Sequence, residues 1–280
     1  MITPDVVREI DPERYERKFV EAGIRSDGRV LKGVSRPAVV VPDVISTAVG
    51  SASCKIGNTA VVAGVTAGVF VQPEGIVAAC PDGQVSVVID LSLIQFERRV
   101  AQQEGGALAR RIEVVLGNRE VLDRSQLLVS ADENKDKAVW DLNVSVVVLC
   151  DDGALMDCVM LAVVAALKNT KLPSLDKDLK IVRSDPQRPV VIGAVPVGLS
   201  FALYSSADKQ TQYLIDPTKG EERVFPKLTI VTIGDDILSI QGPEIPGIVK
   251  ATASLDLDVI ASNVWPLIVA ESHKRRSLLE

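Results

Sequence analysis

Two regular patterns of apolar residues follow one another in the middle of the chain, between residues 138 and 173. In the first pattern, polar residues at Asp141, Asn143 and Ser145 alternate with apolar ones. The apolar positions share one parity and are Trp140, Leu142, Val144, Val146, Val148 and Cys150. Because side chains alternate between the faces of a sheet, this pattern predicts a strand with one buried face.

The second pattern is the run from 154 to 167, in which every residue except Asp157 is apolar. A helix that is apolar on all sides lies in the interior of a protein. The run is too short to cross a bilayer, which takes about 20 residues. We expect Asp152 to cap this helix and Asp157 to be a first-turn acid, and metal binding by the two is a weaker alternative. The turn in front of the helix, Asp151-Asp152-Gly153, could also place a phosphate ion at the helix N-terminus.

The segments before this region predict helices and a hairpin. Asp11-Pro12 begins a charged helix, and Gly23 lies just past its end. Residues 36–71 and 85–93 are rich in Val, Ile and Thr and predict strands, with a hairpin turn at Gly57-Asn58. Residues 95–117 predict a helix, although Gly105-Gly106 in its middle can mark the true start.

The segments after it repeat the same order. Residues 174–189 are polar and contain prolines, which is typical of a connector. A second set of strands is predicted between 190 and 240, followed by helices at 246–264 and 266–276. Strands followed by helices, twice over, predict the α+β class rather than alternating βαβ units.

Composition narrows the functional classes. The chain has 280 residues, of which 47% are hydrophobic and 4% aromatic, so its core is built from branched and small side chains. The formal net charge of −6 argues against a surface that coats nucleic acid in general. A local basic patch is still compatible with this charge. The candidate patch consists of Arg98, Arg99, Arg110, Arg111, Arg119 and Arg124.

Cysteine and histidine usage excludes several kinds of chemistry. The four cysteines form no CxxC pair, which favours core thiols over a disulfide or a metal site. His273 is the single histidine, so a Ser-His-Asp triad and a histidine-based zinc site are not expected. The first residues are charged and lack the apolar segment of a secretory signal, so we expect an intracellular protein.

Four motifs in a fixed order resemble one family, the RNase PH-type ring subunits of the RNA exosome. They are RSDGR (residues 25–29), ISTAVGSASCKIGNTAVVAGV (45–65), DDGALMD with LAVVAALKNTKLP (151–173), and YLIDPTKGEE (213–222). The resemblance implies an RNase PH-like fold. Its expected parts are an N-terminal helical extension (1–24), a domain similar to ribosomal protein S5 domain 2 (25–173), a connector (174–189) and a smaller RNase PH domain 2 (190–280).

The resemblance also implies partners and a location. Such subunits assemble with other RNase PH-like subunits into a six-membered hetero-oligomeric ring, under S1/KH-type cap subunits, and single-stranded RNA passes through its channel. We therefore expect RNA partners, no membrane, no cofactor and no metal. The expected compartments are the nucleus, including the nucleolus, and the cytoplasm.

Active members of this family degrade RNA by phosphorolysis, and the resemblance locates their phosphate site at the turn before the buried helix. That turn reads Asp-Gly-Gly-Thr/Ser-Arg in them. The corresponding residues here are Asp152, Gly153, Ala154, Leu155 and Met156. Leu155 and Met156 cannot neutralise a phosphate dianion as a hydroxyl and a guanidinium do. The turn therefore predicts a vestigial phosphate site.

A carboxylic acid is the second requirement, because the leaving 3′ oxygen must be protonated. Asp216 matches the first of two aspartates in active members, whereas no carboxylate occurs in residues 223–228, where the second is expected. The sequence thus predicts a non-catalytic ring subunit. The alternative is an active phosphate-dependent exoribonuclease in which Asp216 acts with Glu221 or Glu222 as the acid and an arginine from residues 98–124 clamps the phosphate. A free-standing homo-oligomeric RNA-binding protein is a third hypothesis.

The remaining charged residues have structural and functional interpretations. The six arginines could line an RNA channel or help a neighbouring subunit to bind phosphate, and the structural alternative is a solvated helix face or salt bridges. Arg25, Asp27 and Arg29 predict a structural turn lock rather than an RNA contact. Residues 274–276 predict a frayed basic tail.

Overall fold

The computed structural model describes residues 10–31, 33, 35–72, 83–130, 137–175, 181–182, 187–205, 211–244 and 264–279. The strands are β1 (Ala38–Pro42), β2 (Gly50–Ile56), β3 (Thr59–Gln72), β4 (Gln84–Asp90), β5 (Leu128–Ser130), β6 (Lys137–Cys150), β7 (Lys171–Leu172), β8 (Ser174–Leu175), β9 (Ile181–Val182), β10 (Arg188–Pro189), β11 (Pro196–Ser205), β12 (Thr211–Ile215), β13 (Lys227–Ile233) and β14 (Asp236–Glu244). The helices are α1 (Pro12–Glu21), α2 (Arg98–Leu116), α3 (Leu155–Lys168), α4 (Lys219–Val224) and α5 (Trp265–Arg276). This order confirms the α+β class.

The larger sheet has the strand order β1-β2-β3-β6-β4, and β5 pairs with β6. β4 runs parallel to β6, while the other pairs are antiparallel. β2 and β3 form the hairpin predicted at Gly57-Asn58, with Ile56 opposite Thr59. Gly57 has a φ of 57°, a left-handed conformation that glycine adopts without a steric penalty.

The alternating pattern of β6 is confirmed along most of the strand. Its apolar positions up to Val148 are buried, and its polar positions are exposed. The prediction is wrong for Cys150, which is exposed. A register shift at the end of the ladder pairs Cys150 with Ala60 but Val148 with Val61. Because Ala60 and Val61 point to opposite faces, this bulge turns Cys150 away from the core.

The buried helix α3 lies between the two sheets. One side of it packs on β2 and β3, and the other side packs on β11 of the second sheet. Every residue from 156 to 167 is buried, including Asp157. A helix with sheets on both sides has no solvent-facing stripe, which explains its apolar run. The interior position predicted for this helix is confirmed.

Helix α2 covers the outer edge of the larger sheet. It packs on β4, and the carboxylate of Glu113 accepts a hydrogen bond of 2.8 Å from the backbone N–H of Val87. The helix begins at Arg98, so the suggestion that Gly105-Gly106 marks its start is wrong. Gly105 is buried inside the helix, and a Cβ atom there would lie 2.4 Å from the carbonyl oxygen of Ile89. Close approach of helix and strand, rather than helix termination, therefore explains this glycine.

The second sheet has the order β12-β11-β13-β14 and packs against α5. Val197, Phe201, Ile230 and Ile268 belong to the core between them. The prediction of a frayed tail at 274–276 is wrong, because Arg275 lies in the last turn of α5 with 1% of its surface exposed. The helix predicted at 246–264 falls outside the described residues, except for Val264.

The predicted connector carries short strands. β7 pairs with β10, and β8 pairs with β9. Val190, immediately after this segment, is buried in the core of the larger sheet. The domain limits given by the sequence (25–173, 174–189 and 190–280) stay a prediction. In the described part of the chain, no helix combines the length and apolarity needed to cross a membrane.

Replacing Gly105 by Ala should lower the free energy of unfolding by about 1–3 kcal/mol, because the new Cβ atom would overlap the Ile89 carbonyl oxygen. Gly106→Ala is the matched control, since the nearest atom to its Cβ would be Arg110 Nη1 at 3.9 Å. This control should gain up to about 1 kcal/mol from helix propensity. Urea unfolding of both variants measures the difference, and equal effects would contradict the close packing of α2 on β4.

Candidate functional site

The turn before α3 meets the turn before α4, and both contain a strained residue. Ala154, the residue before α3, has a φ of 50°, and Asp216 has a φ of 51°. Left-handed conformations are unfavourable for residues with a Cβ atom and persist only where surrounding contacts hold them. No side chain accepts a hydrogen bond as an N-cap of α3, and the N-cap position is Ala154. The prediction that Asp152 caps this helix is therefore wrong.

Asp216 is fully buried and fully paired. Its Oδ1 atom accepts from Arg36 Nη2 at 2.7 Å, and its Oδ2 atom accepts from Arg36 Nε at 2.9 Å and from the Arg36 backbone N–H at 2.7 Å. Burial alone would raise the pKa of Asp216, but the hydrogen bonds and charge of Arg36 outweigh it and hold the pKa below its ordinary value. A carboxylate held in its ionised form is a poor proton donor.

Arg36 connects this carboxylate to the turn before α3. Its Nη1 atom donates to the carbonyl oxygen of Asp152 at 2.8 Å. A Cβ atom at Gly57 would lie 2.5 Å from Arg36 Cδ, so the β2–β3 hairpin needs glycine beside the arginine. The sequence did not single out Arg36, because its partners are 116 and 180 residues away and no local pattern marks it.

The RSDGR segment forms the expected turn lock. Arg25 is buried and forms a bidentate ion pair with Glu221, and its Nη1 atom donates to the carbonyl oxygen of Ile215 at 2.7 Å. Arg29 pairs with Asp27 and donates from Nη2 to the backbone oxygen of Asp216 at 2.9 Å. Glu221 also accepts from the backbone N–H of Thr218 at 2.8 Å in a capping box. The structural interpretation of these residues is confirmed.

Glu222 occupies the N-terminal end of α3. Its Oε1 atom accepts a hydrogen bond of 2.9 Å from the backbone N–H of Ala154. Lys227 Nζ lies 3.6 Å from the same carboxylate, and Lys219 Nζ lies 3.9 Å from it while pairing with Asp151. Burial raises the pKa of Glu222 above its ordinary value, in spite of the lowering effect of the two lysines. A carboxylate of the chain itself therefore stands at the helix end where a phosphate would bind.

The other residues of the turn that the sequence predicts to be a vestigial phosphate site make structural contacts. Met156 is 3% exposed and belongs to the core of the larger sheet, and Leu155 packs against that core. Gly153 has a φ of 92°, and a Cβ atom on it would lie 2.2 Å from the carbonyl oxygen of Pro217. Its carbonyl oxygen accepts from Thr59 Oγ1 at 2.7 Å. The turn is thus packed tightly between the hairpin and the second sheet.

Asp157 forms a second buried ion pair, which joins α3 to the C-terminal helix. Arg275 Nη1 donates to Asp157 Oδ2 at 2.8 Å and to the carbonyl oxygen of Gly198 at 2.8 Å. Ser200 donates to the same carboxylate from its backbone N–H at 2.9 Å and from Oγ at 2.7 Å. These bonds use both oxygens of Asp157. The described residues contain no group of His, Cys, Asp or Glu that could hold a metal ion.

The predicted basic patch lies on and after α2. Arg98, Arg99, Arg110 and Arg119 are exposed, whereas Arg111 and Arg124 are half-buried. The side chains of Arg98, Arg99 and Arg110 have no hydrogen-bond or ion-pair partner within the described ranges. Phe96, which no sequence pattern marks, stands two residues before Arg98 with 98% of its surface exposed. An exposed aromatic ring next to unpaired arginines is a usual feature of surfaces that bind single-stranded nucleic acid.

Comparisons with known proteins agree with this fold. Residues 35–173 match the RNase PH family, described as 3′ exoribonuclease family, domain 1. The exosome complex component Rrp42 of Methanocella arvoryzae is 32% identical over 85% of this chain and 86% of its own length. The exosome complex component rrp43 of Schizosaccharomyces pombe is 27% identical over 79% of each chain.

Solved structures extend the likeness over nearly the whole chain. A chain of the Archaeoglobus fulgidus exosome with RNA bound to the active site has a TM-score of 0.77 and 26% identity, covering 99% of this chain and 100% of its own. A chain of an archaeal exosome core has a TM-score of 0.74 and 25% identity, covering 99% of each chain. Fold and site together define an RNase PH-type protein. The chain belongs to the RNase PH family, and its archaeal and yeast relatives named above are exosome components.

Replacing Arg36 by Met should lower the free energy of unfolding by about 3–5 kcal/mol, because it leaves the buried Asp216 carboxylate without its main partner. Arg17→Met is the matched control, since Arg17 forms an exposed pair with Glu13 and should contribute less than about 1 kcal/mol. Denaturant titration followed by circular dichroism compares the two. Similar small losses in both variants would contradict the central role of the buried pair.

Proposed function

We propose that the protein is a non-catalytic RNase PH-like subunit of an RNA exosome ring. It pairs with an RNase PH-like subunit of the other class, completes the six-membered ring and guides single-stranded RNA during 3′-to-5′ processing and decay. One observation carries the non-catalytic part of this proposal. The two loci that phosphorolysis requires, for the acid and for the phosphate, are both occupied by carboxylates engaged in internal bonds.

The acid locus supports the proposal most directly. Asp216 is ionised, buried and bound by Arg36, so it has no proton to give to a leaving 3′ oxygen. Glu221, an acid in the alternative hypothesis, is fully buried and forms the capping box and the ion pair with Arg25. Neither carboxylate can reach a substrate without breaking a buried ion pair, which costs several kcal/mol.

The phosphate locus supports it independently. A phosphate at the N-terminus of α3 would need the position that Glu222 holds against the Ala154 N–H. Asp151 and Asp152 belong to the same turn and would repel a dianion. The alternative hypothesis takes its phosphate clamp from the arginines of residues 98–124. None of these arginines takes part in the hydrogen bonds of the site described above.

RNA guidance is a passive role that the basic patch can supply. Exposed arginines attract phosphates without reading sequence, and Phe96 offers a ring on which a base can stack. The overall charge of −6 confines this attraction to the patch. In this proposal, S1/KH-type cap subunits bind above the ring. The protein is distributed over the nucleus, including the nucleolus, and the cytoplasm. Fluorescent fusions report the compartments.

The isolated chain should release no nucleoside diphosphates from single-stranded RNA and inorganic phosphate, because it lacks a free acid and a free phosphate site. In a ring reconstituted with an RNase PH-like partner, and shown by native mass spectrometry to be intact, Asp216→Asn in this subunit should leave the rate of phosphorolysis per ring unchanged. Product chromatography measures both. Nucleoside diphosphates from the isolated chain that disappear with Asp216→Asn would overturn the proposal. So would a stable homo-hexamer that ignores the partner in native mass spectrometry.

Arg98→Ser with Arg99→Ser should weaken binding of single-stranded RNA to the reconstituted ring and flatten its salt dependence. Loss of two phosphate contacts should reduce the slope of log K against log salt by about 1.4. Arg14→Ser with Lys18→Ser, on the exposed face of α1, is the charge-matched control. Fluorescence anisotropy at several salt concentrations gives the slopes. An equal slope change in both double variants would show that net charge, and not the patch, binds RNA.

A further inference from the structure

The strand β1 at the edge of the larger sheet directs every second backbone group away from the protein. The N–H of Asp43 donates to the neighbouring β2–β3 hairpin at 2.8 Å, and the carbonyl oxygen of Pro37 accepts from the same hairpin at 3.1 Å. In an antiparallel ladder, alternate residues bond to the partner strand. Because the register of β1 on β2 is unbroken, Ala38, Val40 and Pro42 point their backbone groups outward.

This outward edge is open and apolar. Within the described ranges, no hydrogen bond joins its backbone groups to another element. They comprise the N–H groups of Ala38 and Val40 and the carbonyl oxygens of three residues. On the outer face of the strand, Val39 is 54% exposed and Val41 is 49% exposed, and the strand carries no charge. An edge of this kind is a template for a further strand.

Other edge strands of the described sheets are protected. At the opposite edge of the larger sheet, the backbone N–H of Val87 in β4 donates to the carboxylate of Glu113 at 2.8 Å. At one edge of the second sheet, β14 has two register shifts against β13. Such bulges hinder the addition of another strand. The ladder of β1 has no bulge, and its proline lies at the end of the strand.

The edge of β1 is complementary to itself. If two copies pair in antiparallel fashion about Val40, the two Val40 residues exchange their N–H and carbonyl groups. Each Ala38 N–H then faces the Pro42 carbonyl oxygen of the other copy. Every outward N–H has an acceptor, and Pro42, which has no N–H, contributes only its oxygen. On the outer face, Val39 of each copy lies opposite Val41 of the other, and such pairs of β-branched residues stabilise a sheet.

We propose that two copies of this chain pair through β1 and form a dimer with one continuous sheet. The register centred on Val40 overlaps all five residues of the strand. Because one surface meets itself, the contact closes at two copies. A strand pair of this length buries less than the about 1,200 Å² of stable complexes, so the dissociation constant should lie between about 1 μM and 1 mM.

This self-pairing goes beyond the proposed function, since it concerns the chain before an RNase PH-like partner binds. A free apolar edge promotes aggregation, and a dimer covers it. The dimer dissociates on dilution, so it leaves the chain available for a ring.

Two charge variants and a control test the inference. Val39→Glu with Val41→Glu places carboxylates opposite carboxylates across the dimer. Val39→Glu with Val41→Lys places opposite charges there, and its new carboxylate lies beside Lys55 of β2. Val88→Glu, at a valine with 54% exposure on β4, is the matched control away from the β1 edge. Circular dichroism verifies that each variant is folded.

Sedimentation equilibrium over a concentration series measures the dissociation constants. The wild type, Val88→Glu and the oppositely charged variant should dimerise with constants that agree within about threefold. The variant with two glutamates should bind itself at least about tenfold more weakly, because like charges oppose each other. Amide hydrogen exchange at Ala38 and Val40 should slow as the wild-type concentration rises, and it should not change in the variant with two glutamates.

The outcomes separate the inference from the proposed function. A wild-type chain that stays monomeric at about 1 mM, or a dimer that two glutamates do not weaken, would show that the inference is wrong. It is also wrong if the chain is monomeric alone and the variant with two glutamates fails to enter a ring, since β1 then docks on the RNase PH-like partner. None of these results affects the non-catalytic role, which fails only if the isolated wild type releases nucleoside diphosphates.

Discussion

The buried ion pair between Arg36 and Asp216 constrains the geometry of the whole site. Removing a charged pair from water is expensive, and such a pair is kept at little net cost only when its geometry is bidentate and its remaining hydrogen bonds are satisfied. Arg36 meets these conditions, since it also binds the carbonyl oxygen of Asp152. It thereby holds the turn before α3 against the turn before α4. The left-handed conformations of Ala154 and Asp216 follow from this arrangement.

The same constraint binds the polar groups of the site to partners within the protein. Each polar group that could act on RNA is committed to a protein partner: Asp216 to Arg36, Glu221 to Arg25 and Glu222 to Ala154. A catalytic group must instead be free to change its protonation state or to contact substrate. Compared with the motif of active members, this turn has Leu155 and Met156 in place of a hydroxyl and a guanidinium. A second feature of the site is that its three carboxylates are bound within the protein.

Sequence reasoning predicted the features that depend on local periodicity. The alternation in β6, the all-apolar helix α3 and the hairpin at Gly57-Asn58 each follow from neighbouring residues, and all three are confirmed. The predictions from the sequence were wrong or missing where a partner distant in the chain determines the position of a side chain. Arg275 looked like part of a frayed tail because Asp157, its partner, is 118 residues away. Arg36, Glu222 and the bulge that exposes Cys150 depend likewise on tertiary pairing, which one sequence does not contain.

The position of α3 between two sheets has a consequence for synthesis on the ribosome. A nascent chain that ends before Arg275 has already made α3, but the Asp157 carboxylate, which must be buried, has no arginine beside it. The second face of α3 is likewise bare until β11 has emerged. The larger sheet therefore stays incompletely packed until β11 and the helix with Arg275 have been synthesised. Such a chain presents apolar surface for a prolonged time, so we expect it to depend on chaperones during translation more than a protein whose domains close one after another.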